Sequence, residues 1–115
     1  ELHRSTGTRF DLKQGEGGLV DLEFLLQYLV LRESAPRPAL QSPRETPALI
    51  EALKAEAVFD SDIAGRLLAS HAVLVAAGLR CTLDRRERIV SPDAAIEGAR
   101  SVVSEAVRRF GISPD

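Results

Sequence analysis

The chain has 115 residues, 44% of them hydrophobic, with 17 acidic and 15 basic side chains for a net charge of −2. That is enough to bury one core, and the balance leaves no basic field for non-specific nucleic-acid binding. A single cysteine, Cys81, excludes an internal disulfide or a cysteine metal cluster and fits a reducing compartment. With aromatic content of 4% and neither Trp nor Met, the core must be built from Leu, Val, Ile and Ala.

Residues 1–9 are polar and read as a loop or frayed end, and Phe10 to Lys13 as a short extended segment. Three glycines in four positions follow, Gly15, Gly17 and Gly18. They let the backbone take φ > 0 and pass close to a neighbour. From Leu19 to about Arg32 the chain is apolar apart from Asp21, Glu23 and Gln27, which predicts a helix enclosed on nearly all sides. The alternation of Val20, Leu22 and Phe24 with Asp21 and Glu23 also suits a strand, but the unbroken leucine-rich run exceeds usual strand length. On that helix Glu23 and Gln27 share a stripe at i and i+4, whereas Asp21 and Glu23 diverge by about 200° and cannot grip one ion together. Asp21 falls in the first turn, where the helix dipole favours a carboxylate, and the same end is a place for an anion. Spacing alone leaves a structural glycine turn and a phosphate-facing one equally open.

Pro36, Pro38 and Pro43 break the next stretch into a polar connector with no helix of its own, unusually long for a small domain. It reads as a solvated link, with a contact loop as the alternative. Thr46-Pro47 predicts the start of a second helix with Thr46 as cap and Ile50, Leu53 and Ala57 as its apolar stripe. Asp60-Ser61-Asp62 caps a long third helix from about Asp62 to Leu83, some 33 Å at about 1.5 Å per residue. Its apolar period includes Ile63, Leu67, Leu74, Val75, Leu79 and Leu83. Arg80, Arg85, Arg86 and Arg88 complement its C-terminal dipole, or form a patch for phosphate or an acidic partner. Ser91-Pro92-Asp93 starts a fourth helix that ends at Gly111, a residue able to take the left-handed conformation. Four helices and no second strand predict an all-α domain, an antiparallel up-and-down four-helix bundle with a short extended remnant at the N-terminus.

Chemistry-bearing residues outside the glycine turn are sparse. His71 stands on or beside an apolar face with no second His at i+3 or i+4, so it reads as a core or boundary residue rather than a metal ligand. Cys81 reads as a small buried hydrophobe. The glycines lack the Gly-Lys-Ser/Thr ending of a Walker loop and no βαβ unit surrounds them. No signal peptide is present, the longest apolar run stops at Arg32 and Glu33 short of 18 residues, and a cytoplasmic protein without a membrane or nucleic-acid partner is expected.

The stretch Phe10-Asp11-Leu12-Lys13-Gln14-Gly15-Glu16-Gly17-Gly18-Leu19-Val20-Asp21-Leu22-Glu23-Phe24-Leu25-Leu26-Gln27-Tyr28, continuing to Arg32, resembles one in the bifunctional glutamine synthetase adenylyltransferase/adenylyl-removing enzymes. Beyond it the likeness rests on helical pattern and on Ala77-Gly78-Leu79-Arg80. The form with Val20, rather than arginine, is more similar to the C-terminal, adenylylating half. The resemblance implies that residues 1–18 are the edge of a nucleotidyltransferase domain plus the glycine turn, and 19–115 a helical domain. The chain, starting at Glu-Leu-His-Arg, would then be a piece of a longer enzyme that moves AMP from ATP to a tyrosine of glutamine synthetase with magnesium.

In that family a Gly-Ser-x-x-Asp-Leu-Asp motif carries the metal. It does not occur here, and Asp60-Ser61-Asp62 sits in a cap context, so the piece alone is expected to be inactive and to bind neither Mg nor ATP. Lys13, Gly15, Gly17, Gly18, Asp21, Glu23 and Gln27 are implied to face nucleotide or substrate at the junction. Implied partners are glutamine synthetase, a PII-type signal protein and the catalytic domain. A docking module for either protein, or a plain spacer, are the competing readings.

Overall fold

The structure, a computed structural model, describes residues 9–37, 40, 45–85, 87 and 89–111. Helices α1 (Leu19–Glu33), α2 (Thr46–Ala55), α3 (Ser61–Leu83) and α4 (Ala94–Phe110) and a ribbon of β1 (Phe10–Asp11) and β2 (Ile89–Val90) make up its regular elements. Residues 1–8, the prolines at 38 and 43, and Arg86 and Arg88 of the basic cluster lie outside the described residues.

Leu22, Leu25, Leu26 and Leu29 of α1 meet Leu49, Ile50 and Leu53 of α2 and Leu67 and Leu74 of α3 in one core. α4 adds Ile96, Ala99, Val103 and Ala106, and its 3.6-residue stripe is the cleanest in the chain. Cys81 is buried there, as its reading as a small hydrophobe requires. Two core members escaped sequence reasoning. Leu40, inside the proline-rich connector, is fully buried, and Phe59 packs edge to face on Phe110 with ring centroids 5.1 Å apart.

α1 is enclosed on one face only. Leu22, Leu26 and Leu29 have no exposure, but Phe24 is 70% and Leu31 80% exposed. α2, α3 and α4 all contact α1, and its buried residues are Leu22, Leu25, Leu26 and Leu29.

The ribbon was not foreseen because β2 is two residues long, too short to show alternation. Phe10 pairs with Val90 and Asp11 with Ile89, antiparallel. Phe10 and Leu12 are buried in the same core as the helices, so residues 10–12 pack with the helical body.

Helix order departs from the up-and-down expectation. Glu33, at the end of α1, holds Arg37 at 2.6 Å, and Arg37 Nε donates to the Glu56 carbonyl at the end of α2 (3.2 Å). Leu26 and Gln27, in the first half of α1, line one cleft with Thr46 and Pro47 at the start of α2. α1 and α2 therefore run in the same sense. α3 turns back after Ala57, and α4 runs with α1, since Phe110 meets Phe59 while Gly17 lies against Arg100. Only α3 is reversed. An up-and-down bundle needs short links between helices.

The helix ends follow local chemistry with two shifts. Asp60 and Asp93 accept from the amides of Ile63 and Ile96 at 2.8 and 2.9 Å, as N-caps should. α2 is preceded by Glu45 in the cap position, with Thr46 already helical and no side-chain capping bond. Gly111 is extended rather than left-handed, with φ −82° and ψ −175°. Left-handed residues instead follow α2 at Ala57 (φ 65°), where Val58 N–H donates to Leu53 O and Ala57 N–H to Lys54 O, and α3 at Arg85 (φ 57°).

A side chain other than glycine in that conformation is strained. Ala57→Gly is expected to stabilise the fold by about 1 kcal/mol, read from the midpoint shift in urea at unchanged slope. Leu26→Ala, at a site without exposure, should cost roughly 2–5 kcal/mol in the same measurement.

Candidate functional site

The glycine segment is a clasp closed on itself. Asp11 accepts the amides of Lys13 and Gln14 through Oδ1, both at 2.9 Å, and its carbonyl takes the Gly15 amide at 2.9 Å. This Asx turn folds residues 12–15 over the start of α1. Gly18 N–H then donates to Gly15 O (2.8 Å), Leu19 N–H to Leu12 O (3.0 Å) and Val20 N–H to Lys13 O (2.9 Å). Gly17 N–H donates to Asp21 Oδ2 at 2.8 Å. A helix normally leaves its first amides without internal partners. Here protein oxygens take those of Gly18, Leu19 and Val20, so these three donors are already engaged and closed to an anion.

The glycines are demanded by space. Gly17 has φ +78°, and a Cβ there would lie 2.6 Å from the Arg100 carbonyl oxygen and 2.8 Å from Ser104 Oγ. A Cβ at Gly18 would meet Leu12 O at 2.7 Å, and one at Gly15 the Phe10 ring at 2.5 Å. α4 presses on the clasp through Arg100, whose Nε donates to Glu16 O at 3.2 Å and whose guanidinium sits 4.0 Å from the Phe10 ring centroid. Sequence reasoning did not find Arg100. Its partners are up to 90 residues away along the chain, and its own neighbours show only a basic side chain on a helix.

The candidate residues fall in two places. Gly15, Gly17, Gly18 and Asp21 belong to the clasp, while Lys13 contributes its backbone there and leaves its side chain exposed. Glu23 and Gln27 lie on another side of α1, as their spacing requires, and line a cleft of about 590 Å³ with Phe24, Glu45, Thr46 and His71. His71 is half-buried, and burial pushes its imidazole below the ordinary value of 6.5, partly offset by Glu23. The two places share α1 but no bond among the described residues.

Magnesium finds no set of ligands here. Among the described residues no three His, Cys, Asp or Glu side chains converge to hold a metal. Asp60 is spent on its cap and Asp62 pairs with Arg66 at 3.1 Å. These residues do not fit a metal–nucleotide site, and no chemical step is assigned to one.

Gly17→Ala should destabilise the protein by more than about 2 kcal/mol, through left-handed strain plus the collision with α4. Gly98→Ala, in open space within α4, should instead stabilise by up to about 1 kcal/mol. Denaturant titration of both variants checks the pair. His71 gives a pH signature. Its proton is held more weakly in the folded chain than in the unfolded one, so its contribution is complete above pH 6.5 and is lost as pH falls through the lowered value. Stability of the wild type measured against His71→Gln should therefore fall on acidification below about 6.5 and be flat above it.

No family model matches the chain. It is 50% identical over 113 residues to the bifunctional glutamine synthetase adenylyltransferase/adenylyl-removing enzyme of Xanthomonas axonopodis pv. citri, covering 98% of this chain and 12% of that enzyme. The protein of the same name from Xanthomonas oryzae pv. oryzae is 52% identical over 108 residues, 94% of this chain and 12% of that one. That from Hahella chejuensis is 32% identical over 113 residues, 90% of this chain and 12% of its own length. The chain spans about 12% of the length of these curated relatives. It is thus a homologue of one segment of the bifunctional glutamine synthetase adenylyltransferase/adenylyl-removing enzymes.

Proposed function

We propose that this chain is the helical segment that follows the nucleotidyltransferase domain in the C-terminal, adenylylating half of such an enzyme. The whole polypeptide transfers AMP from ATP to a tyrosine of glutamine synthetase, with magnesium held outside this segment, and also removes it. The observation that carries this reading is identity of 50% along 98% of the chain to an enzyme of that name. On this reading residues 1–18 form the junction with the catalytic domain, glutamine synthetase and a PII-type signal protein are the partners, the enzyme is cytoplasmic, and the segment alone does not catalyse.

The role of the segment is to hold the junction in place. The clasp amides are given to protein oxygens, which supports a positioning role for Gly15, Gly17, Gly18 and Asp21. Lys13, whose side chain is exposed, is the group placed to reach an anionic nucleotide or an acidic substrate surface. Glu23 and Gln27 face outward from α1 and orient the incoming protein through hydrogen bonds.

The test is kinetic and uses the full-length enzyme. Lys13→Ala and Glu23→Gln should each slow adenylylation of glutamine synthetase roughly tenfold, a loss of about 1.4 kcal/mol of transition-state stabilisation, with folding unchanged by circular dichroism. Wild-type rates in both variants would reduce these residues to surface groups. Retained glutamine synthetase binding with lost catalysis separates this reading from a pure docking module.

A further inference from the structure

The cleft beside His71 joins buried leucines to exposed carboxylates. Leu26 and Leu49, both buried, form its apolar lining. Glu23 and Gln27 stand on its α1 side and Glu45 on its α2 side, all three exposed. Phe24, 70% exposed, adds an open aromatic ring. No lysine or arginine occurs among the described residues that line it. His71 is the remaining titratable group there; burial pushes it below 6.5, so it stays neutral at pH 7 and the two carboxylates set the charge.

The fold does not consume these carboxylates. Elsewhere Asp11, Asp21, Asp60 and Asp93 hold backbone amides, and Glu33 and Glu97 hold arginines. Glu45 precedes α2 without a side-chain capping bond, and Glu23 acts on His71 only through space. At about 590 Å³ the cleft has the size of a ligand site, roughly 300–1,000 Å³. Charge complementarity selects a cation. Among the described residues Glu23, Glu45 and His71 do not converge as metal ligands do, so the cation is one whose donors spread over a plane. The apolar lining and Phe24 add an alkyl stem and a flat head to the requirement. An arginine side chain has all three properties: an aliphatic stem, N–H donors in a fixed fork and a guanidinium that stacks on aromatic rings. A lysine ammonium, a compact point charge, matches separated acceptors less well.

We propose that this cleft receives an arginine side chain of a partner protein, with its stem on Leu26 and Leu49 and its guanidinium between Glu23 and Glu45, against Phe24. Gln27 supplies a further carbonyl acceptor. This deepens the role proposed for Glu23 and Gln27 in orienting an incoming protein, and rests on that reading for the occupant's being a protein segment. It adds Glu45 and Phe24, which sequence reasoning placed in no site, and it names the group recognised.

Leucine-methyl NMR of the full-length enzyme, titrated with acetyl-Gly-Arg-Gly-amide, tests this without a rate measurement. The Leu26 and Leu49 signals should shift saturably, while Leu83, exposed at the C-terminal end of α3, stays in place. Glu45→Gln should weaken the peptide roughly threefold or more, and Glu51→Gln, at an exposed position of α2 outside the cleft, should not. The same peptide with citrulline, which keeps the shape of arginine but carries no charge, should not saturate. Absence of a saturable shift with the arginine peptide, equal saturation by the citrulline peptide, or unchanged affinity in Glu45→Gln overturns the proposal. Tighter binding of free L-arginine than of the peptide assigns the cleft to a small amino acid and overturns it as well. Peptide saturation together with a wild-type adenylylation rate in Glu23→Gln keeps the cleft and removes its part in the reaction, so the two failures are distinguishable.

Discussion

The structure depends on the close approach of two backbones at Gly17. A Cβ there would stand 2.6 Å from the Arg100 carbonyl, so only glycine lets the chain turn into α1 while α4 lies against the turn. The approach is locked from both sides. Asp21 reaches back to the Gly17 amide, and Arg100 reaches over to the Glu16 carbonyl and the Phe10 ring. With α1 fixed on α4 at this point, Leu22, Leu26 and Leu29 enter the core, and the remaining helices pack on them.

The same arrangement explains why a glycine-rich turn before a helix need not bind phosphate. Phosphate sites of this kind use helix amides that lack protein partners. In this chain the Asx turn at Asp11 brings the carbonyls of Leu12, Lys13 and Gly15 onto those amides. The polar groups near the turn then divide their work. Asp21 serves the backbone, whereas Glu23 and Gln27, on a different side of α1, share a cleft with His71.

Much of this was legible beforehand and some was not, for identifiable reasons. The four helices, the cap at Asp60 and the divergence of Asp21 from Glu23 follow from local period and capping chemistry, which act within a few residues. The helix directions, the β1–β2 ribbon, the role of Arg100 and the burial of Leu40 are set by partners far along the chain. The proline-rich connector illustrates the limit: nothing in its composition marked Leu40 as a core residue, yet that side chain is fully buried. Likewise the period of α3 marked Val75, Leu79 and Leu83 as core, although period alone cannot tell one buried face from two apolar ones.

The central claim is that protein oxygens hold the clasp amides and α4 lies against the turn. Amide hydrogen exchange resolved at Gly17, Gly18, Leu19 and Val20 in the intact polypeptide tests it most directly. Protection comparable to that in the middle of α1 is predicted, with protection at Gly17 lost selectively in Asp21→Ala. Exchange at the rate of an unstructured loop at these four positions would contradict it.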